Sequence, residues 1–202
     1  TLAGGFAAGM NVLRCAFHRF PVHAGGWSPR REQWVVFFGS FAVIAAINLV
    51  YHFFVLYPGC LTLDSMDQIN QIRSGVYSNH HPFWHTMVIK VFLETGYAVF
   101  GDINKAVSLY TIAQIVIMAA CFAYVLMTLY EAGVSRGWIG VSFALYAFLP
   151  YNIALSCTMW KDVLFGGAVC VFLTAMFRIL RDIGWNRVWN YVLLAISGLG
   201  FC

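Results

Sequence analysis

Residues Trp34 to Tyr57 read WVVFFGSFAVIAAINLVYHFFVLY, without one Asp, Glu, Lys or Arg and with an aromatic residue at each end. At about 1.5 Å of rise per helical residue, such a run crosses a hydrocarbon core of roughly 30 Å. Its aromatic ends suit the two membrane–water interfaces. The composition agrees: 61% of the 202 residues are hydrophobic and 10% charged, where a soluble domain carries about a quarter charged residues. An open sheet would leave backbone groups unpaired in lipid, and the alternation of a membrane barrel is absent. The expected fold is therefore an all-α, multi-pass transmembrane helical bundle, a single membrane domain over 1–202.

Working outward, the segment before this span carries Arg14, Arg19, Arg30 and Arg31, with Gly25, Gly26 and Pro29, and reads as a cytoplasmic loop. That places Pro58 to Asn79 on the outer face. Further apolar stretches give spans at 104–130, 138–157 and 162–180, with 188–202 the start of another. The stretch 83–100 holds Lys90 and Glu94 near its middle, where charge is costly in lipid, and is expected to span or to be re-entrant. Five crossings would put Arg178, Arg181 and Arg187 outside, against the positive-inside rule. Four put them inside, so four are preferred.

The chain opens at Thr1 in an apolar run and stops at Cys202 inside another, so it reads as truncated at both ends, with no cleavable signal peptide. Its six cysteines are scattered without metal-ligand spacing, which argues against a disulfide framework or a zinc module. The net charge of +4 sits beside helix ends, so topology explains it and no nucleic acid partner is implied. The partner implied is the lipid bilayer.

Three polar groups interrupt this pattern. In the outer segment, Pro58 and Gly59 end the first span, and Ser65 with Gln68 three residues on has a capping-box spacing. A short amphipathic juxtamembrane helix running to about Arg73 and stopping at Gly75 follows, with Asp64 at its N-terminus. Met66, Ile69 and Ile72 would face the interface, with Asp67, Gln68 and Gln71 on the other side. Equally, its acids are simply solvated. Next, Pro82 can open a helix that brings His81 and His85 one turn apart, a spacing able to bind zinc. The metalloprotease pattern fails, because Pro82 stands where its Glu belongs. Histidines and acids together can hold a divalent metal, act as general acid or base, or bind phosphate. Taken singly, each histidine is better explained by a hydrogen bond to backbone or water than by ligation. Last, Trp160-Lys161-Asp162 lies between two apolar stretches, as an interfacial turn or as a phosphate-binding pair.

The order of these features resembles the GT-C superfamily of membrane glycosyltransferases, and more closely a bacterial group of multi-pass membrane proteins. The resemblance runs through Pro58-Gly59, Asp64-Ser65, Gln68, Gly75-Val76-Tyr77, His80-His81-Pro82 and Trp160-Lys161-Asp162. It implies a polyprenyl-phosphate-linked sugar as donor, an acceptor glycan, lipid or protein, and an active site on the outer face of a bacterial plasma membrane. Asp64 takes the place of the essential acid in the first outer loop, deprotonating the acceptor hydroxyl or orienting it through a metal. Asp67, His81 and His85 join it as catalytic candidates. Lys161, Arg73 and His80 would neutralise the donor phosphate, and Asp162 and Gln68 would orient donor or acceptor. A divalent cation (Mg, Mn or Zn) on Asp64, His81 and His85 is the cofactor implied. His-His-Pro stands where many members carry a basic residue followed by prolines, which leaves the phosphate partner open. Two other classes compete: a transporter lined by Lys90 and Glu94, and a non-catalytic membrane subunit.

Overall fold

The computed structural model describes residues 30–78, 82–183 and 187–199. They form an all-α bundle of helices α1 (Arg30–Phe54), α2 (Leu63–Ser74), α3 (Phe83–Phe100), α4 (Ile103–Glu131), α5 (Arg136–Phe148), α6 (Pro150–Ser156), α7 (Lys161–Arg181) and α8 (Arg187–Leu199). Two short strands, β1 (Cys60–Leu61) and β2 (Thr158–Met159), pair in parallel. Among the described residues α1, α4 and α7 are long and apolar enough to cross a membrane, and α5 with α6 makes a fourth if the bent pair is one span.

α4 is the axis of the bundle. Asp102 starts it by accepting from the backbone N–H groups of Asn104 and Lys105, satisfying two donors that a helix N-terminus leaves unpaired. After Lys105 no charge occurs until Glu131. α1 runs antiparallel to it. At one end His52 Nε2 meets Ser108 Oγ at 2.7 Å, and at the other Tyr130 donates to the Glu32 carboxylate. Between these ends Ile44 and Ala45 pack with Ala119, Leu126 and Ala147 into one core cluster. Phe122 stacks on Tyr146 of α5, with centroids 4.4 Å apart. α7 lies beside α4 and runs the same way. Its Gly167 lets the backbone approach Met118 and Cys121, and its last turn reaches Thr128 and Glu131.

Two expectations are revised, and the stretch 83–100 falls on one of its two expected alternatives. The stretch 138–157 is not one helix but α5 and α6, bent by 52°. Pro150 has no N–H to give to the helix, and its ring pushes Leu149 to an extended ψ of 116°. The stretch 83–100 is a helix, but it is not among those apolar enough to span. It turns back at Gly101 (φ 63°) and packs through Ile89 and Leu93 on the opening turns of α4, where Gly96 presses against Ala106. Lys90 and Glu94 pair with each other at 3.8 Å on its more exposed side.

The second revision concerns α2. Its N-cap is Thr62, which forms a capping box with Ser65, three residues earlier than the spacing of Ser65 and Gln68 suggests. Gln68 is fully buried, Met66 is exposed, and Ile69 and Ile72 pack against the cluster around Tyr110. The helix therefore leans on protein through the face that carries Gln68. Its end is as expected, with Gly75 closing it at φ 72°.

Candidate functional site

The site is built where the loop after α1 meets the turn before α7. Gly59, at φ 127°, carries the chain past Thr111, whose hydroxyl donates to Pro58 O at 3.3 Å. The Cys60 N–H then donates to Cys157 O at 2.9 Å, which opens the ladder pairing Cys60 with Thr158 and Leu61 with Met159. Gln114 of α4 fixes the other side of the turn, its amide donating to Ser156 O (3.0 Å) and Thr158 O (2.7 Å). A buried amide that serves several otherwise unpaired carbonyls is a strong constraint on a loop.

This ladder sets the register of two helix starts. Thr62 Oγ1 accepts from Ser65 N–H at 3.2 Å, and Ser65 Oγ accepts from Thr62 N–H at 3.1 Å. Ser65 also donates to Met159 O, tying the first turn of α2 to β2. Asp64 is in that first turn and Lys161 begins α7. The Lys161 ammonium lies 3.1 Å from Asp64 Oδ2, and Trp160 Nε1 lies 3.3 Å from the same oxygen. The side chains of Lys161 and Asp64 are 24% and 37% exposed, so the pair is within reach of a molecule at the surface. Behind it the Cys157 thiol is buried, and that burial, with Cys60 nearby, pushes its pKa up from 9.0 to about 12.

Beneath α2 runs a buried hydrogen-bonded chain. The Gln68 amide donates to Thr86 Oγ1 at 2.9 Å, which leaves its oxygen to face His85 Nδ1 at 3.1 Å. His85 Nε2 in turn meets the Tyr110 hydroxyl at 2.9 Å. An amide oxygen only accepts, so Nδ1 carries the proton and Nε2 accepts from Tyr110. Thus His85 and Gln68, both expected at the reacting centre, join α2, α3 and α4 beneath it. Asp67, Arg73 and Asp162 are exposed and make no ion pair among the described residues. His80 and His81 lie outside the described residues. No three His, Cys, Asp or Glu side chains among the described residues are grouped to hold a metal. With both His85 nitrogens engaged, the donors described beside Asp64 do not fit a divalent cation.

Thr62 and Gln114 are site residues that sequence reasoning missed, and Trp160, singled out there with Lys161 and Asp162, had no site role of its own. A lone glutamine inside the apolar run of α4 is itself a signal, since a polar side chain there needs a partner. The class defined by the fold is an all-α bundle with membrane-length helices, carrying an acid–lysine pair where two helix starts meet. No family model matches the chain, and neither the curated proteins nor the solved structures offer a match to it.

Proposed function

We propose that this chain belongs to a multi-pass membrane glycosyltransferase that moves a sugar from a polyprenyl-phosphate donor to an acceptor at the outer face of a bacterial plasma membrane, in modification of a cell-envelope glycan. The observation that carries the reading is the Asp64–Lys161 pair, an acid and a cation from distant parts of the chain held 3.1 Å apart on rigid helix starts. The donor phosphate replaces the carboxylate as partner of the Lys161 ammonium. Asp64, released, takes the proton of the acceptor hydroxyl as its oxygen attacks the anomeric carbon. The bond from that carbon to the lipid phosphate breaks with inversion, and Lys161 balances the charge that the phosphate carries away. Fixed geometry supplies much of the rate.

The charges support the orientation. Among the described basic residues Arg31, Arg136, Arg178 and Arg181 stand at the end of the bundle opposite Asp64, with Arg73, Lys105 and Lys161 at the Asp64 end, a small bias of the sign that the positive-inside rule asks of a cytoplasmic face. Lys90 and Glu94 neutralise each other and favour no transport pathway.

The test is sugar transfer from a polyprenyl-phosphate donor, comparing Asp64→Asn with Asp67→Asn at equal folded amounts. Loss of a general base costs on the order of a hundredfold. Near-normal transfer by Asp64→Asn defeats the assignment. Absence of transfer by the unaltered protein across a donor panel shifts weight to a transporter or a non-catalytic subunit.

A further inference from the structure

At the end of the bundle opposite Asp64, a groove of about 570 Å³ runs between the first turns of α1 and α5, over the last turn of α4. Its walls are Val35, Val36 and Ile139, and Arg31 and Arg136 stand along it. Both arginines are exposed, and neither has an ion-pair partner among the described residues. Glu32 also lines the groove, with its carboxylate accepting from the Tyr130 hydroxyl. One acid against two guanidinium groups leaves the groove net positive. Trp34 on α1 and Trp138 on α5, both exposed near the same helix starts, suit the depth of lipid headgroups.

We infer that this groove binds an anionic phospholipid, with the phosphodiester between Arg31 and Arg136 and one acyl chain along Val35, Val36 and Ile139. Guanidinium pairs recognise phosphate oxygens through directed N–H bonds, and Arg is the residue suited to that task. An apolar wall directly beneath two cations matches a molecule with its charge at one end and hydrocarbon at the other. A soluble anion would use the arginines and leave the wall empty. The inference needs these helices to be in lipid and does not need sugar transfer, so a chain inactive on every donor still answers it.

The probes are dioleoyl phosphatidylglycerol, dioleoyl phosphatidylcholine and inorganic phosphate, titrated into the detergent-solubilised chain and read by native mass spectrometry. Phosphatidylglycerol is expected to bind about tenfold or more tightly than phosphatidylcholine. Arg31→Gln with Arg136→Gln should erase that preference while leaving the helical circular dichroism intact. Should the double variant lose helix, Val35→Trp carries the test, because it fills the groove from an exposed position and leaves both charges. It should weaken phosphatidylglycerol binding by a similar factor. Equal binding of the two lipids overturns the inference, as does an unchanged preference in both variants. Displacement of the lipid by millimolar inorganic phosphate makes the site one for a free anion and overturns the lipid assignment.

Discussion

The Lys161 ammonium and the Asp64 carboxylate meet at 3.1 Å only because the β1–β2 ladder fixes where α2 and α7 begin. Each partner is the output of a separate loop. Both loops are fastened to α4, one through Thr111 and the other through Gln114.

The stability effect of this pair should be small and its effect on chemistry large. Half-exposed ion pairs contribute roughly 0.2–1 kcal/mol. Lys161→Met is therefore expected to leave the thermal midpoint in mild detergent nearly unchanged while transfer falls on the order of a hundredfold. Exchanging the two, Asp64→Lys with Lys161→Asp, should restore pairing without restoring transfer. If the exchanged protein transfers at the normal rate, the two side chains act only as a clasp.

His85 is expected to behave as a joint between helices. His85→Phe would leave the Gln68 oxygen and the Tyr110 hydroxyl buried without their present partner, at about 1–3 kcal/mol for each group stranded. Tyr110→Phe strands one group, the His85 Nε2 acceptor, and should cost about 1–3 kcal/mol, less than His85→Phe, which strands two. Thermal unfolding of the two variants, beside transfer measured per folded molecule, separates the roles. A His85→Phe protein of normal stability that transfers nothing would return His85 to the reacting centre.

The helices were legible because hydrophobic runs and charge placement report directly on lipid burial. Lys90 and Glu94 marked α3 as the weak span, and the structure has it packed on the opening turns of α4. The break at Leu149–Pro150 was harder to read, since apolar residues continue on both sides and only Pro150 marks the bend. Asp64 and Lys161 could each be singled out, but their apposition rests on two strands of two residues, too short to leave a periodic pattern. Gln68 was assigned to the wrong face for a related reason. Its burial is decided by His85 and Thr86, contacts that no local pattern in α2 encodes.

Arg178 closes the opposite end of the bundle. It pairs with Glu131, donates to Thr128 at 2.9 Å and to Asn190 at 3.0 Å, and lies 5.3 Å above the centre of the Tyr124 ring. Both charged side chains are almost wholly buried. Arg178→Met should destabilise the protein by about 3–5 kcal/mol, because it strands the carboxylate of Glu131. Adding Glu131→Gln should recover a good part of that loss. Lys90→Met, from a pair open to the surface, serves as the control and should cost less than about 1 kcal/mol. Equal melting of the Arg178 and Lys90 variants would remove Arg178 from its place as the lock between α4, α7 and α8.

Cys157 predicts a pH dependence whose sign follows from its surroundings. Burial favours the neutral thiol and raises its pKa from 9.0 to about 12 in the folded chain. The folded state therefore keeps the proton between those values while the unfolded state loses it. The stability tied to this group is whole below the ordinary value and declines as pH rises from there toward the raised one. Thermal midpoints of the unaltered protein and of Cys157→Ala, measured from pH 7 to pH 10.5, should run parallel at the neutral end. They should converge above pH 9 as the thiol's contribution is lost. In a Cys60→Ser background Cys157 should also resist alkylation near pH 8, since thiolate is the reacting form. Rapid labelling there, or midpoints that keep a constant gap to pH 10.5, would show that Cys157 is not sealed behind the β1–β2 ladder and that the Asp64–Lys161 pair has a looser floor than the structure gives it.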